Sequence, residues 1–224
     1  MKTIIACTLT AALLAVAAPA AADPIKCEVT EKKDGKKWYV TLERWPTTVD
    51  EFKQVRDDLC KTPQGSFVAF VVAMKVWGEN EKLGFEMLPL ILDKSLLVET
   101  EDMVPAARIG NYKGWQVGKK VLDMMKSTGF KKGKAYTAQG YVSGTSPDTG
   151  YKVPAGPMKF VVRAHGVKPK TPDEWRGFLN TTGASRPKPY WSKKNGKGVW
   201  KILKTSSYFA GTAPPKEKKE DDDL

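Results

Sequence analysis

Histidine and cysteine are scarce in this sequence, which has one histidine and three cysteines among 224 residues. Zinc and copper sites are usually built from several of these side chains, so their scarcity excludes most such sites. Patterns of the HExxH, P-loop, GxGxxG and EF-hand types do not occur either. The lone histidine, His165, lies at the end of an alternating segment, where we expect a structural or exposed residue. The sequence therefore indicates no metal site and no cofactor.

Signatures of nucleophilic hydrolases are missing as well. The segment 144–148 (GTSPD) lacks the final glycine of a nucleophile elbow, and its proline is incompatible with that turn. Two pairs of adjacent carboxylates, Asp57 with Asp58 and Glu101 with Asp102, are compatible with glycosidase chemistry. Adjacent residues of a helix point in different directions, however, so a solvated surface is the better interpretation. The sequence favours a protein without catalysis, and a cell-envelope hydrolase that uses carboxylates is the alternative.

Residues 1–22 have the composition of a secretory signal peptide. Lys2 supplies a positive charge, residues 4–18 are almost entirely apolar, and small alanines precede Asp23. We therefore expect cleavage after Ala22 and a mature protein that is secreted or periplasmic. The alternative is an uncleaved anchor, but the apolar run is shorter than the roughly 20 residues that span a bilayer.

Cleavage of the signal peptide would leave two cysteines, Cys27 and Cys60. In an oxidising compartment they can form a disulfide, and closing a loop of about 33 residues would stabilise the fold by about 3–4 kcal/mol. Cys60 also lies on the apolar side of a predicted helix, where a free thiol would simply be buried. The sequence leaves both possibilities open.

Periodicity divides the mature chain into a helical part and a strand-rich part. Residues 23–46 are typical of a β-hairpin that turns at Asp34-Gly35. Thr48 and Glu51 match a capping box that begins the first helix. Further helices are predicted at residues 66–77, 81–92 and 115–127. Strands are predicted at residues 135–142, 158–164, 175–181, 190–193 and 199–203, with a tight turn at Asn195-Gly196.

These elements predict an α+β fold, in which about four N-terminal helices pack on a C-terminal antiparallel β-meander or small barrel-like sheet. In this prediction residues 47–215 form a single domain, and the hairpin of residues 23–46 is an extension that precedes it. Residues 216–224 are expected to be a charged, disordered tail.

Four segments carry a family resemblance: residues 110–115 (GNYKGW), the pair Arg186-Pro187, residues 193–201 (KKNGKGVWK) and residues 206–215. They resemble a family of exported bacterial proteins known only as a domain of unknown function. The similarity covers about Thr47 to Pro215, and the turn within residues 195–201 is its most specific part. The resemblance implies a bacterial origin and one continuous domain, and it transfers no catalytic residue.

The net charge of +12 is concentrated in the second half of the chain. Residues 23–102 contain 12 basic and 16 acidic side chains, whereas residues 103–216 contain 22 basic and 4 acidic ones. No carboxylate occurs between Trp175 and Lys216, and aromatic residues are interleaved with the lysines there. A sheet face of this composition can bind a phosphate or sulfate backbone. The candidate residues are Arg186, Lys188, Tyr190, Trp191, Lys193, Lys194, Lys197 and Lys201.

The alternative is that the aromatic residues belong to the core and the lysines form an ordinary solvated face. Lysine outnumbers arginine in this segment, which argues against base-specific recognition of nucleic acid. We therefore predict an exported binding protein with a basic C-terminal face for non-specific anionic partners. These would be an envelope polymer, lipid headgroups or nucleic acid. A structural or assembly subunit that binds another protein is a further alternative.

Overall fold

The computed structural model describes residues 23–32, 36–99, 114–128, 130, 133–166, 169, 171–204, 207–208 and 210–216. Three sequence predictions lie outside these residues. They are the signal peptide, the turn at Asp34-Gly35 and the tail beyond Lys216. Among the described residues, no helix combines the length and the apolar character that crossing a membrane requires.

Eight strands form two sheets. They are β1 Cys27–Glu31, β2 Lys37–Leu42, β3 Leu97–Glu99, β4 Trp115–Val117, β5 Met158–Ala164, β6 Glu174–Leu179, β7 Lys188–Lys194 and β8 Trp200–Lys204. The main sheet has six strands in the order β1-β2-β5-β6-β7-β8, all antiparallel, and β3 pairs with β4 separately. The N-terminal hairpin belongs to the main sheet, because β2 pairs with β5 from Lys37 opposite Arg163 to Leu42 opposite Met158.

The helices lie in the sequence between the N-terminal strands β1 and β2 and the last four strands of the main sheet. They are α1 Val49–Leu59, α2 Pro63–Glu79, α3 Glu81–Ile91, α4 Lys119–Ser127 and α5 Tyr136–Gln139, with a 3-10 helix at Lys94–Leu96. This arrangement confirms the predicted α+β class. The first three helices were each indicated by their apolar spacing, which the buried residues follow.

A side-chain cap begins α1 as predicted, although its carboxylate reaches one residue further back. Thr48 Oγ1 accepts a hydrogen bond from Glu51 N at 3.1 Å. Glu51 Oε2 in turn accepts from Thr47 N at 2.6 Å and from Thr47 Oγ1 at 2.8 Å. The Arg44 guanidinium, 2.6 Å from Glu51 Oε1, is the main reason why the pKa of Glu51 falls to about 2.

Helix α2 forms the centre of the core and is buried on almost every side. The Phe67 ring stacks on Tyr190 with centroids 4.8 Å apart, and Phe70 meets the edge of Tyr208 at 4.4 Å. Helix α3 packs closely on α2 because Gly84 has no side chain. A Cβ at that position would lie 2.2 Å from Trp77 Cα, which is far inside van der Waals contact.

Two element predictions are wrong in detail. Residues 135–142 do not form a strand but contain α5 and a following turn, and the buried Thr137, Ala138, Tyr141 and Val142 have helical spacing. The predicted helix of residues 115–127 begins later, at Lys119, because residues 115–117 form strand β4 instead. The reason is a tertiary contact: Gly118 N donates to Leu96 O at 2.8 Å and ends the strand against the 3-10 helix.

Candidate functional site

The alternation of β7 places the two aromatic candidates on opposite faces of the sheet. Tyr190 is completely buried and packs in the core against Phe67. Trp191 is half-buried on the other face, where its ring centroid lies 5.1 Å from Lys204 Nζ and 5.9 Å from the Arg176 guanidinium carbon. Of the two, Trp191 is the one that a surface ligand can reach.

The basic candidates of this region also lie in different places. Lys193 is exposed, and Lys194 Nζ lies 5.2 Å from the centre of the Trp200 ring. Lys188 is half-buried, and its burial lowers the pKa of its amine. Arg186 lines a separate pocket together with Arg163, which we call the arginine pocket. These residues do not converge on one point.

Lys197 and Lys201 do converge, and two basic residues from earlier in the chain join them. They line a cleft of about 700 Å³ with Arg56 from α1 and Lys94 from the 3-10 helix. We call this the cationic cleft. Its other lining residues are Pro89, Leu92, Asp93, Leu97, Trp115, Asn195 and Val199.

Backbone hydrogen bonds to the edge strand β8 bring these distant segments together. Trp200 N donates to Cys60 O at 2.9 Å, which fixes the end of α1 beside the strand. Asp93 N donates to Ile202 O at 2.8 Å, which fixes the start of the 3-10 helix. Both segments therefore meet β8 on either side of Lys201, and their side chains form the cleft.

The turn between β7 and β8 holds Lys197 at the rim of the cleft. Asn195 Oδ1 accepts hydrogen bonds from Lys197 N at 2.9 Å and from Val199 N at 3.0 Å. Gly198 has a φ of 76°, a left-handed conformation that favours glycine. A turn therefore lies where the sequence predicts one, but it spans residues 195–199 and its left-handed residue is Gly198 instead of Gly196. The turn places the exposed Lys197 at the edge of the cleft.

Lys201 is the half-buried basic residue at the floor of the cleft, and its Nζ donates a hydrogen bond to the Leu90 carbonyl. Burial, followed by the nearby Arg56 guanidinium, lowers the pKa of the Lys201 amine to about 8. The amine is still mostly protonated at pH 7. A cation is thus held at the floor with little access to water.

Neither Lys201 nor Arg56 forms an ion pair with an acidic lining residue of the cleft within the described residues. Arg56 Nη2 lies 2.6 Å from Asp57 Oδ1, but its Nε is buried and has no hydrogen-bond partner among the described residues. The single acidic lining residue is Asp93, whose Oδ1 already accepts from Ser95 N at 3.0 Å and from Ser95 Oγ at 2.6 Å. Four basic residues therefore line the cleft beside one acidic residue, and an anion that enters it would meet a surplus of positive charge.

The remaining walls of the cationic cleft are apolar. Pro89 and Leu92 are buried, whereas Leu97 and Val199 are half-buried and face the open space. The Trp115 ring forms part of the rim, with Lys94 Nζ 4.6 Å from its centre. The cleft therefore combines cations with an apolar surface, which suits a ligand that carries a negative group on an apolar body.

Sequence reasoning missed three residues of this cleft: Arg56, Lys94 and Trp115. Arg56 and Lys94 belong to the half of the chain in which acidic residues outnumber basic ones, so the charge pattern gave no reason to select them. No local signal in the sequence marks them, because only the tertiary contacts of β8 bring them next to Lys201.

The other candidates for chemistry are not lining residues of the cationic cleft, although Asp57 pairs with its Arg56. Asp58 pairs with Lys61 at 2.8 Å, while Asp57 pairs with Arg56, so the two adjacent carboxylates point to different partners. The second carboxylate pair, at residues 101–102, lies outside the described residues. The His165 ring stacks on Phe178 with centroids 4.9 Å apart.

Cys27 and Cys60 are both free thiols in the structure. Burial raises the pKa of Cys27 to about 11 and that of Cys60 to about 12, so both remain protonated at neutral pH. A thiolate is required for thiol exchange and for nucleophilic attack. A disulfide between them stays a prediction from the sequence.

Comparison with known proteins gives one result. A family model described as a domain of unknown function, DUF6935, matches residues 44–216. No curated protein and no solved structure matches this chain. The matched region contains the four basic residues of the cationic cleft and both arginines of the arginine pocket.

Proposed function

The chain belongs to the DUF6935 family of unknown function, and we propose from its own geometry that it is an exported, non-catalytic binding protein. Its ligand is an anion with an apolar portion, bound in the cationic cleft. The observation that supports this most directly is the lining of the cleft, where the half-buried Lys201 joins Arg56, Lys94 and Lys197, while Asp93 is the acidic lining residue.

The balance of charge and apolar surface favours one class of anion over the others. A free polyanion such as nucleic acid binds mainly through phosphate contacts on an open, solvated surface. In the cationic cleft, the buried Pro89 and Leu92 and the half-buried Leu97 line the same space as the cations. An anionic lipid-like molecule, with its headgroup at Lys201 and its chain along these residues, uses both features.

The binding proposal is tested with decyl phosphate as a soluble probe, titrated into the mature protein by isothermal calorimetry. Inorganic phosphate and decanol are titrated in parallel, because the first has the anionic group without the alkyl chain and the second has the chain without the anionic group. We expect decyl phosphate to bind at least tenfold more tightly than either. Lys201→Met should weaken it by tenfold or more, because a hydrogen bond to a charged group contributes about 1.5–3 kcal/mol.

Lys193→Met is the matched control, since Lys193 lies opposite Lys201 in the β7–β8 pair but is exposed and outside the cleft. It removes the same charge and should change the affinity by less than twofold. Equal losses for the two variants would reduce the effect to overall charge and contradict the proposal. If inorganic phosphate bound as tightly as decyl phosphate, the proposal that the ligand has an apolar portion would be contradicted.

Export is a separate part of the proposal and rests on the composition of residues 1–22. If the signal peptide is cleaved after Ala22, N-terminal sequencing of the protein from the periplasm or the medium should begin at Asp23. Recovery of the chain from the membrane fraction with Met1 intact would contradict export in this form.

A further inference from the structure

The arginine pocket lies apart from the cationic cleft and shares no lining residue with it. It has a volume of about 300 Å³ and lies between the loop after α5, the end of β5 and the segment that follows β6. The lining residues on which the argument depends are Ser143, Arg163, Asn180, Ser185 and Arg186.

Two arginines, Arg163 and Arg186, line this pocket, and no acidic residue is among its lining residues. Arg163 and Arg186 are both exposed, and neither forms an ion pair within the described part of the chain. A guanidinium offers two parallel N–H groups that match the two oxygens of a carboxylate. Two of them in one pocket provide a site for a carboxylate group.

The pocket also contains an acceptor without a donor. Asn180 Oδ1 is buried and makes no hydrogen bond within the described structure, although the backbone N of Asn180 donates to Val161 O at 2.9 Å. A buried amide oxygen without a partner is costly, so a ligand with a donor group would be favoured there. A sugar hydroxyl is such a donor, whereas an ionised carboxylate is not.

Some hydroxyl groups of the pocket form hydrogen bonds within the protein, whereas others have none within the described residues. Thr181 Oγ1 and Thr182 Oγ1 both bond to Gly140 O, at 3.1 Å and 3.0 Å. The Ser143 and Ser185 hydroxyls make no hydrogen bond within the part of the chain that the structure describes. They can therefore donate to, or accept from, a ligand without breaking the fold.

We propose that the arginine pocket binds a single acidic sugar unit, a six-membered ring that carries a carboxylate. The carboxylate pairs with Arg163 and Arg186, and ring hydroxyls bond to Asn180 Oδ1 and to the two serine hydroxyls. The volume of about 300 Å³ is at the lower end of the range for small-molecule sites, which suits one ring and not an extended chain.

The proposal is tested by titrating glucuronate into the full mature protein, with the bound state followed by NMR chemical shifts. Glucose and inorganic phosphate are the comparison ligands, because glucose lacks the carboxylate and phosphate lacks the ring. We expect glucuronate to bind in the millimolar range or tighter, and at least tenfold more tightly than glucose. Arg163→Gln and Arg186→Gln should each weaken glucuronate by at least fivefold.

Lys159→Gln is the matched control, because Lys159 is an exposed cation on the same strand as Arg163 and lies outside the pocket. It should leave the affinity within twofold. No glucuronate binding at 20 mM, equal binding of glucose, or tighter binding of inorganic phosphate would each overturn the proposal. Lys201→Met should have no effect here, so failure of this site is distinguishable from failure of the cationic cleft.

Discussion

Burial of the protonated Lys201 amine lowers the free energy of unfolding of the protein. Its amine is half-buried, has the Leu90 carbonyl as its one hydrogen-bond partner within the described residues and faces the Arg56 guanidinium. Burial and the neighbouring cation disfavour the protonated form, which is why its pKa falls from 10.5 to about 8. An anion bound as in the proposed function would offset this effect.

The lowered pKa predicts how Lys201 affects stability at different pH. Between pH 8 and 10.5 the unfolded chain binds a proton at this amine and the folded chain does not, so the folded state gains stability as the pH rises. Relative to Lys201→Met, the wild-type free energy of unfolding should therefore increase by about 2 kcal/mol from pH 7 to pH 10. Urea denaturation at the two pH values measures this difference.

Lys193→Met again provides the control, because it removes an exposed lysine from the position opposite Lys201. The pH dependence of each variant is compared with that of the wild type. If the two variants differ from the wild type in the same way at both pH values, the lowered pKa of Lys201 is contradicted.

At the scale of elements, the sequence predicted the features that depend on interactions between residues close together in the chain. The apolar spacing of α1 and α2, the Thr48 cap and the Asn195-Gly196 turn all depend on residues within a few positions of one another. Residues 135–142 were misassigned because an alternating pattern over so short a segment also fits a helical turn. Strand β4 was not predicted because it has three residues and, within the described residues, pairs only with the equally short β3.

In the candidate site, too, the sequence predicted the residues that are marked by a local pattern and not those that tertiary contacts bring together. Lys197 and Lys201 were predicted because they lie in and beside a strong turn signal within a basic segment. Arg56, Lys94 and Trp115 come from three other elements, and only the hydrogen bonds of β8 to Cys60 O and Asp93 N place them nearby. The sequence thus indicated the basic segment, whereas the cleft required the tertiary structure.

At the scale of the whole molecule, the two halves of the charge pattern occupy opposite sides of one sheet. The N-terminal strands β1 and β2 lie at one edge and the basic strands β7 and β8 at the other, with β5 and β6 between them. The family match begins at residue 44, just after β2 ends at Leu42. Two strands of the main sheet therefore lie outside the matched region.

This topology predicts that the fold depends on the hairpin that precedes the matched region. A chain that begins at Arg44 would leave β5 as an edge strand and would lose the core side chains Val40 and Leu42, both completely buried. Burying two such side chains contributes about 3–6 kcal/mol, which is a large part of the roughly 5–15 kcal/mol that stabilises a domain. We expect this chain to lose cooperative thermal unfolding.

The matched control removes sequence from the other end, where Lys216 N donates to Pro147 O and its amine pairs with Asp148. A chain that ends at Lys216 keeps both contacts and every described strand, so its unfolding midpoint should stay within about 2 °C of the full mature chain. Calorimetry of the two shortened chains beside the mature protein makes the comparison. Cooperative unfolding of the chain from Arg44 at an unchanged midpoint would show that the six-stranded sheet does not need β1 and β2, and that residues 44–216 are sufficient for the fold.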